Sequence, residues 1–424
     1  MLTTPELLDE KAQCSQLGEI LPRWLGRVPL YRRAGYDLPE EPQAAPCEAF
    51  RRLPFITKKD IRREFPENFL PAGTDLDDLL DRDLVELEHT SGTSEDRIPL
   101  LLARGWWAEQ EERALRRNGL VASVLDEFPQ ARRVTISSPV CNGDICYSST
   151  PARFDRIVGN ALHLSLSRQP FLWSDADLAR MAAEAVEWQP QFLDVDPVYG
   201  VRFAQYCERH GIRLPSLRFV LCSYEFVSAV HRRILERVFG VPVFNLYGAT
   251  ETGHLLMESE HGEMLPSLET AFLEVVDSDA LGIGRLIVTT LTNDYMPLVR
   301  YRIGDLAEQH VQPYRTTYTL HGREADAFRT AAGSRVTTWR IDQCFAGLAG
   351  FAHYQLVQTG ASAYVLRYVP DLTPPEEKAL TELRNRLAGA LGVGEGLEFL
   401  ASDILLPENS GKFRLGYPLA KAAA

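Results

Sequence analysis

At 424 residues, with 45% apolar and 24% charged residues, the chain has the length of two or three domains and the composition of an ordinary globular enzyme. Its net charge of -13 argues against nucleic acid or an anionic membrane as the main partner, while leaving room for a local basic pocket that holds phosphates. Six of its 45 basic residues are lysine, so a lysine in a Gly-Lys pair is less apt to be an accident of composition.

Residues 1–48 read as helical, apart from a proline- and acid-rich stretch from Asp37 to Pro46. Leu53 to Arg62 predicts a helix start, with Thr57 as N-cap and a solvated charged face. Val85 to Pro99 begins as an alternating strand and enters a small-residue loop, Thr90-Ser91-Gly92-Thr93-Ser94. In such a loop hydroxyls and backbone N–H groups surround phosphate oxygens, and glycine allows close approach. Glu95 and Asp96 come next and would repel a triphosphate unless they point outward. Trp106 to Leu120 predicts an amphipathic helix, and Arg133 to Pro139 a short strand followed by a turn. Phe192 to Val195 reads as a strand end before a helix, with Tyr199 near the turn.

Arg218 to Cys222 and Val241 to Leu246 are largely apolar, predicting strands buried on both faces, with Gly248 ending the second. Between them Val230, Ile234, Leu235 and Val238 recur at helical spacing, with Ser228 as N-cap and Gly240 as stop. Strand, helix, strand at this length predicts a right-handed unit with parallel strands. The loops after both strands, Ser223-Tyr224-Glu225 and Tyr247-Gly248-Ala249-Thr250-Glu251, then open at the carboxyl edge of the sheet, where α/β folds bind ligands. Strands are predicted next at Phe272 to Val276 and Arg285 to Thr290, followed by Tyr301-Arg302-Ile303-Gly304-Asp305 and His321-Gly322-Arg323-Glu324-Ala325-Asp326. Beyond these, Arg335 to Trp339, Tyr354 to Gln358 and Tyr364 to Val369 read as strands. Pro374 to Leu391 reads as an amphipathic helix, ahead of Ser410-Gly411-Lys412.

The seven cysteines are scattered without a Cys-x-x-Cys pair, the usage of a reducing cytosol in which cysteine serves as a small apolar residue. With no signal-peptide pattern and no long apolar run, the sequence predicts a cytoplasmic protein with neither a nucleic-acid nor a membrane partner.

Taken in this order, Thr90 to Ser94, Tyr247 to Glu251, Gly304-Asp305, Gly322-Arg323 and Ser410-Gly411-Lys412 resemble the motifs of the adenylate-forming superfamily. That superfamily contains acyl-CoA ligases, peptide-synthetase adenylation domains and luciferases. Tyr31-Arg32-Arg33 and the Leu53 to Arg62 segment resemble its phenylacetate-CoA ligase branch in particular. The resemblance implies an α/β fold. Residues 1–322 would form a large N-terminal domain of mixed and parallel sheets flanked by helices, with a small β-barrel, and residues 323–424 a small, mobile α+β lid. It implies an ATP-dependent ligase that converts an acid, expected to be an aromatic carboxylate, to its acyl-AMP with release of pyrophosphate. The acyl group would then pass to an acceptor such as the thiol of coenzyme A. One alternative is a natural-product enzyme passing the acid, or an oxyacid such as nitrite, to an amine or carrier thiol. Another is a nucleotide-binding protein without ligase activity, motivated by Glu95, Asp96 and the hinge position Ala325, where the family pattern differs.

The resemblance also implies roles. Thr90, Ser91, Gly92, Thr93 and Ser94 would close over the β- and γ-phosphates of ATP, and Ser223, Tyr224, Glu225, Tyr247 and Gly248 would line the nucleotide. Thr250 would contact the α-phosphate, Glu251 would hold Mg²⁺, and Asp305 would accept both ribose hydroxyls. Arg323 would reach the ribose or phosphate, and Lys412 would bridge the acid and the α-phosphate. Cys141, Tyr147, Tyr199, Tyr224 and Ala249 are the candidates for the acid pocket. The expected partners are a small-molecule acid and coenzyme A or a carrier protein, for a monomer or homodimer. No zinc is expected, because no cysteine lies between Cys222 and Cys344.

Overall fold

A computed structural model of the chain describes residues 10–33, 36, 46–90, 97–139, 151–312 and 315–419. The chain forms two compact units, one of residues 1–119 and 246–319, the other of residues 120–245 and 320–424.

The unit built on residues 120–245 holds the parallel strands. Phe219–Cys222 lies between Val243 to Asn245 on one side and Phe192–Val195 on the other, and Arg133–Ile136 and Ala161–His163 follow, all parallel. Every residue of Phe192–Val195 and Phe219–Cys222 is buried, the second as a continuous apolar run requires and the first with Asp194 enclosed in it. The helices Asp175–Trp188, Pro197–His210 and Ala229–Phe239 start on the capping side chains of Ser174, Asp196 and Ser228. The last two stop on Gly211 and Gly240 in the left-handed region. The strand–helix–strand unit expected from Arg218 onward is therefore present, with Ser228 and Gly240 in their expected places.

Within the same unit, residues 320–419 form a four-stranded sheet in the order Leu397–Ala401, Ala363–Pro370, Phe351–Gly360, Gly416–Tyr417. The helix Glu377–Leu391 covers it with Leu383, Leu387 and Leu391 buried. One expectation fails here. Arg335 to Trp339 is not a strand throughout: Thr337 accepts a hydrogen bond from the Arg340 N–H and starts a helix, Thr338–Gln343. The threonine cap outweighs the β-branched character of the segment.

In the other unit an antiparallel run links Ala271–Val276, Ile283–Thr290 and Tyr301–Gln312. Another joins Met264–Pro266, Gly253–Glu258 and the far end of Val243–Ala249. Gly248 does not end that last strand as expected. Pairing continues, with Gly248 opposite His254 and Ala249 opposite Gly253. A Cβ on residue 248 would stand 2.2 Å from the Gly253 carbonyl oxygen, so the hairpin needs glycine there.

The cysteines divide. Cys207, Cys222 and Cys344 are free and buried, as expected of small apolar residues. Cys14 and Cys47, in contrast, are joined in a disulfide with Cα atoms 5.3 Å apart, because the helices Glu10–Arg27 and Pro46–Arg51 bring them together. The reading of all cysteines as reduced is thus corrected at this pair.

Arg300 ties the same unit together. Its guanidinium donates to both oxygens of Glu274, at 3.1 and 3.0 Å, to the carbonyls of Arg51 and Leu53, and lies over the Phe55 ring. Removing one partner of such a buried pair leaves an uncompensated charge. Glu274→Gln is expected to cost about 3 kcal/mol in urea unfolding, whereas a loss within experimental error would show the pair to be unimportant.

Candidate functional site

In the unit that includes residues 246–319, two tyrosine–carboxylate pairs tie the hairpin after Val243–Ala249 to the strand Tyr301–Gln312. Tyr247 Oη donates to Asp305 Oδ2 at 2.6 Å, and Tyr301 Oη donates to Glu251 Oε1 at 2.8 Å. Asp305 and Glu251 are buried, at 8% and 5% exposure, and Gly304 takes a left-handed φ of 92° beside the first of them. The structure therefore brings together Tyr247, Gly248, Ala249, Thr250, Glu251 and Asp305, as the motifs anticipate. Thr250 is half-buried in the tight turn, and Thr252 closes that turn with its N–H on the Ala249 carbonyl. Tyr301 was part of a quoted motif but carried no predicted role. A fully buried tyrosine needs a partner for its hydroxyl, and Glu251, in the turn after Val243–Ala249, supplies it.

Glu251 is the candidate metal ligand, and among the described residues no group of three or more His, Cys, Asp or Glu could hold a metal. A lone buried carboxylate with one oxygen held by Tyr301 suits a hard cation that keeps several waters and takes its remaining ligands from phosphates. Mg²⁺ fits that donor set.

In the same unit the strands Val85–His89 and Pro99–Ala103 form a hairpin. Thr90 stands at its end with its N–H on the Ile98 carbonyl and its Oγ1 accepting from the Ile98 N–H, both at 3.1 Å. Ser91, Gly92, Thr93 and Ser94, with Glu95 and Asp96, lie outside the described residues, as do Cys141 and Tyr147.

In the unit that includes residues 120–245, Lys412 and the loop around it are held by the segments that follow the parallel strands. Lys412 Nζ lies 3.5 Å from the Tyr224 carbonyl, and the Phe413 N–H donates to Glu225 Oε1 at 2.6 Å. Ser138 Oγ donates to the Ser410 carbonyl at 3.3 Å, and Arg168 donates to the Asn409 carbonyl at 3.1 Å. Tyr199 Oη lies 2.7 Å from the Arg168 carbonyl and 3.0 Å from the Gly411 carbonyl, its one proton shared between them. Gly411 has φ 85°, and a Cβ there would meet Ser138 Oγ at 2.2 Å. Only glycine allows this approach.

The Ser223-Tyr224-Glu225 loop is itself braced. Ser223 Oγ and Tyr224 Oη donate to the two oxygens of Asp194, at 2.6 and 3.0 Å. That bracing holds Tyr224 at φ 74°, a conformation side chains other than glycine seldom adopt. Burial raises the Glu225 carboxyl well above the usual carboxylate range, and the neighbouring Asp196 charge adds to the rise. Asp196, the cap of Pro197–His210, is pushed up to about 7, mainly by burial, while the Lys412 ammonium pulls it down. Two acids whose charged forms are disfavoured by burial thus face one ammonium. Each is steadier ionised with Lys412 protonated beside it.

Arg323 is exposed at the end of the strand Arg315–Arg323. Just beyond it Asp326 accepts from Arg414 at 2.5 Å, joining the Gly322-to-Asp326 motif to the residues after Lys412. Sequence reasoning missed Ser138, Asp194 and Asp196. Only Asp196 left a signal, an Asp-Pro pair of the kind that caps and starts a helix.

Comparison with known proteins adds to this geometry. No protein-family model matches the chain. Protein CapK of Staphylococcus aureus is 29% identical over 123 residues, 29% of this chain and only 27% of that protein's length. A phenylacetate-coenzyme A ligase of Pseudomonas putida is 23% identical over 318 residues, covering 70% of this chain and 67% of that protein. The fold matches a crystal structure of 2-hydroxyisobutyryl-CoA ligase in complex with 2-HIB-AMP, with TM-score 0.67 over 95% of this chain and 89% of that one, at 18% identity. The chain has the fold of adenylate-forming ligases. In sequence it resembles the phenylacetate-CoA ligase branch.

Proposed function

We propose that the protein is an ATP-dependent, AMP-forming ligase that activates an acid as its acyl-adenylate and transfers it to a thiol such as that of coenzyme A. The observation that carries this reading is the placement of Lys412, whose loop is fixed by Ser138, Tyr199 and Glu225 and whose ammonium lies on the Tyr224 carbonyl. A lysine held this way, next to the loop proposed to line the nucleotide, supplies positive charge where a carboxylate attacks the α-phosphorus. Such chemistry needs positioning and electrostatic stabilisation more than covalent participation.

The remaining roles follow residue by residue. Asp305, oriented by Tyr247, is the carboxylate proposed to accept from the ribose hydroxyls. Thr250 presents a hydroxyl to the α-phosphate, and Arg323 a guanidinium to ribose or phosphate. Glu251 would hold Mg²⁺, whose charge offsets that of the triphosphate. Tyr199 is fully buried with its hydroxyl on two backbone carbonyls, so it would shape the acid pocket through the loop it braces rather than by a hydrogen bond. Residues 323–424 are proposed as the lid of this enzyme, and an aromatic carboxylate as its acid.

Radioactive pyrophosphate exchange into ATP tests the reading, run with phenylacetate, anthranilate, 2-hydroxyisobutyrate and a panel of further aromatic and aliphatic acids. Acid-dependent exchange without coenzyme A is expected, strongest with an aromatic acid. Exchange confined to aliphatic acids would remove the aromatic assignment and leave the ligase one standing.

A further inference from the structure

Residues 320–419 also grip the helix Ala229–Phe239 through side chains that the proposed chemistry does not use. At the start of that helix Asp342, 2% exposed, accepts three hydrogen bonds: from Ser228 Oγ at 2.5 Å, from the Ala229 N–H at 2.9 Å and from Tyr354 Oη at 2.9 Å. Toward its end Asp371, 8% exposed, accepts from Arg237 at 2.8 Å and from Gln205 Nε2 at 3.0 Å. Midway, the buried rings of His231 and His353 stack with centroids 5.2 Å apart and share one hydrogen bond of 3.0 Å. Burial lowers the pKa of both imidazoles and raises that of the Asp342 carboxyl, which its three hydrogen bonds oppose.

These contacts connect physically to Lys412 through one strand, Phe351–Gly360: Asp371 follows Pro370, which pairs with Phe351, and the Asp371 N–H donates to the Gly350 carbonyl at 2.8 Å. Tyr354, held by Asp342, lies on the strand Phe351–Gly360. That strand pairs in parallel with Gly416–Tyr417, and the Leu356 N–H donates to the Leu415 carbonyl at 2.9 Å. The strand so held begins just past Lys412.

We propose that Asp342 and Asp371 are positioning residues for Lys412: two carboxylates that clamp the ends of the Ala229–Phe239 helix and, through the strand Phe351–Gly360, set the place of the loop that presents the lysine. The functional part of this inference rests on the proposed role of Lys412, but the clamp itself does not. Hydrogen bonds to ionised carboxylates are the strong class, and their loss at a packed contact opens it locally before the whole fold gives way.

Amide hydrogen exchange on the ligand-free full chain tests the clamp. In Asp371→Asn, and independently in Asp342→Asn, amides of Leu356 and of residues 411–417 should exchange at least about tenfold faster, while Val134, Leu193 and Val220 in the parallel strands keep their rates. Asp371→Glu, which keeps a carboxylate for Arg237 and Gln205, should exchange more slowly than Asp371→Asn. Unchanged exchange near Lys412 in both single variants would overturn the clamp, as would equal acceleration in the parallel strands, which marks general loss of stability. Should Asp342→Asn fail to fold, Asp371→Asn and Asp371→Glu decide alone. For function, Asp371→Asn should slow adenylate formation about tenfold and spare transfer from supplied adenylate. If Lys412→Ala retained full adenylation, the functional reading would fall while the exchange data still judged the clamp.

Discussion

Replacing Lys412 with alanine is expected to lower adenylate formation from ATP and acid by about a thousandfold, the upper range for removing one preorganised electrostatic element. The ammonium is a point charge on a flexible stem, and its position is set by backbone contacts on either side of it rather than by its own geometry. In the proposed role its charge matters while negative charge builds on the attacking carboxylate and the α-phosphate. Once the adenylate exists, that demand is gone. Chemically supplied acyl-adenylate should therefore still be turned over with coenzyme A at close to the normal rate. Equal loss in both half-reactions would assign the residue to holding the 408–413 loop, and no loss in either would remove it from the mechanism.

Glu251→Ala is expected to reduce adenylation by about a hundredfold or more, on the same scale. The carboxylate is buried and already oriented by Tyr301, so it would meet the proposed cation without reorganising. Glu251→Gln keeps an acceptor for the Tyr301 hydroxyl while removing the charge, and so should be nearly as impaired as alanine. Near wild-type pyrophosphate exchange in either variant, at saturating ATP and Mg²⁺, would sink the assignment.

What the sequence made legible was whatever depends on near neighbours. Ser228 and Gly240 cap and stop a helix by contacts within a turn or two, and both were readable from residue type and spacing. The order of motifs indicated the fold class, and the matched structure has that class. Gly248 was misread because its conformation is decided by the returning strand at Gly253, where the same residue type serves a close antiparallel approach rather than a stop. Thr337 was misread because a β-branched residue at a strand end and a threonine cap look alike until Arg340 is seen to donate to it. The seat of Lys412 was beyond reach for a different reason. Ser138, Asp194, Tyr199 and Glu225 meet the lysine loop or brace its neighbours only after strands far apart in sequence are laid side by side. No periodicity encodes that meeting. The Cys14–Cys47 pairing likewise depends on two helices packing, which cysteine spacing does not reveal.

The most direct test follows oxygen. With an acid that supports exchange, labelled with ¹⁸O in its carboxylate, the protein, ATP and coenzyme A should give AMP carrying one labelled oxygen on phosphorus, together with unlabelled pyrophosphate. That outcome requires the carboxylate to have attacked the α-phosphorus and the thiol to have then attacked the acyl carbon. Label appearing in inorganic phosphate alongside ADP, or AMP formed without label, would contradict an acyl-adenylate and with it the account of Lys412 and Glu251.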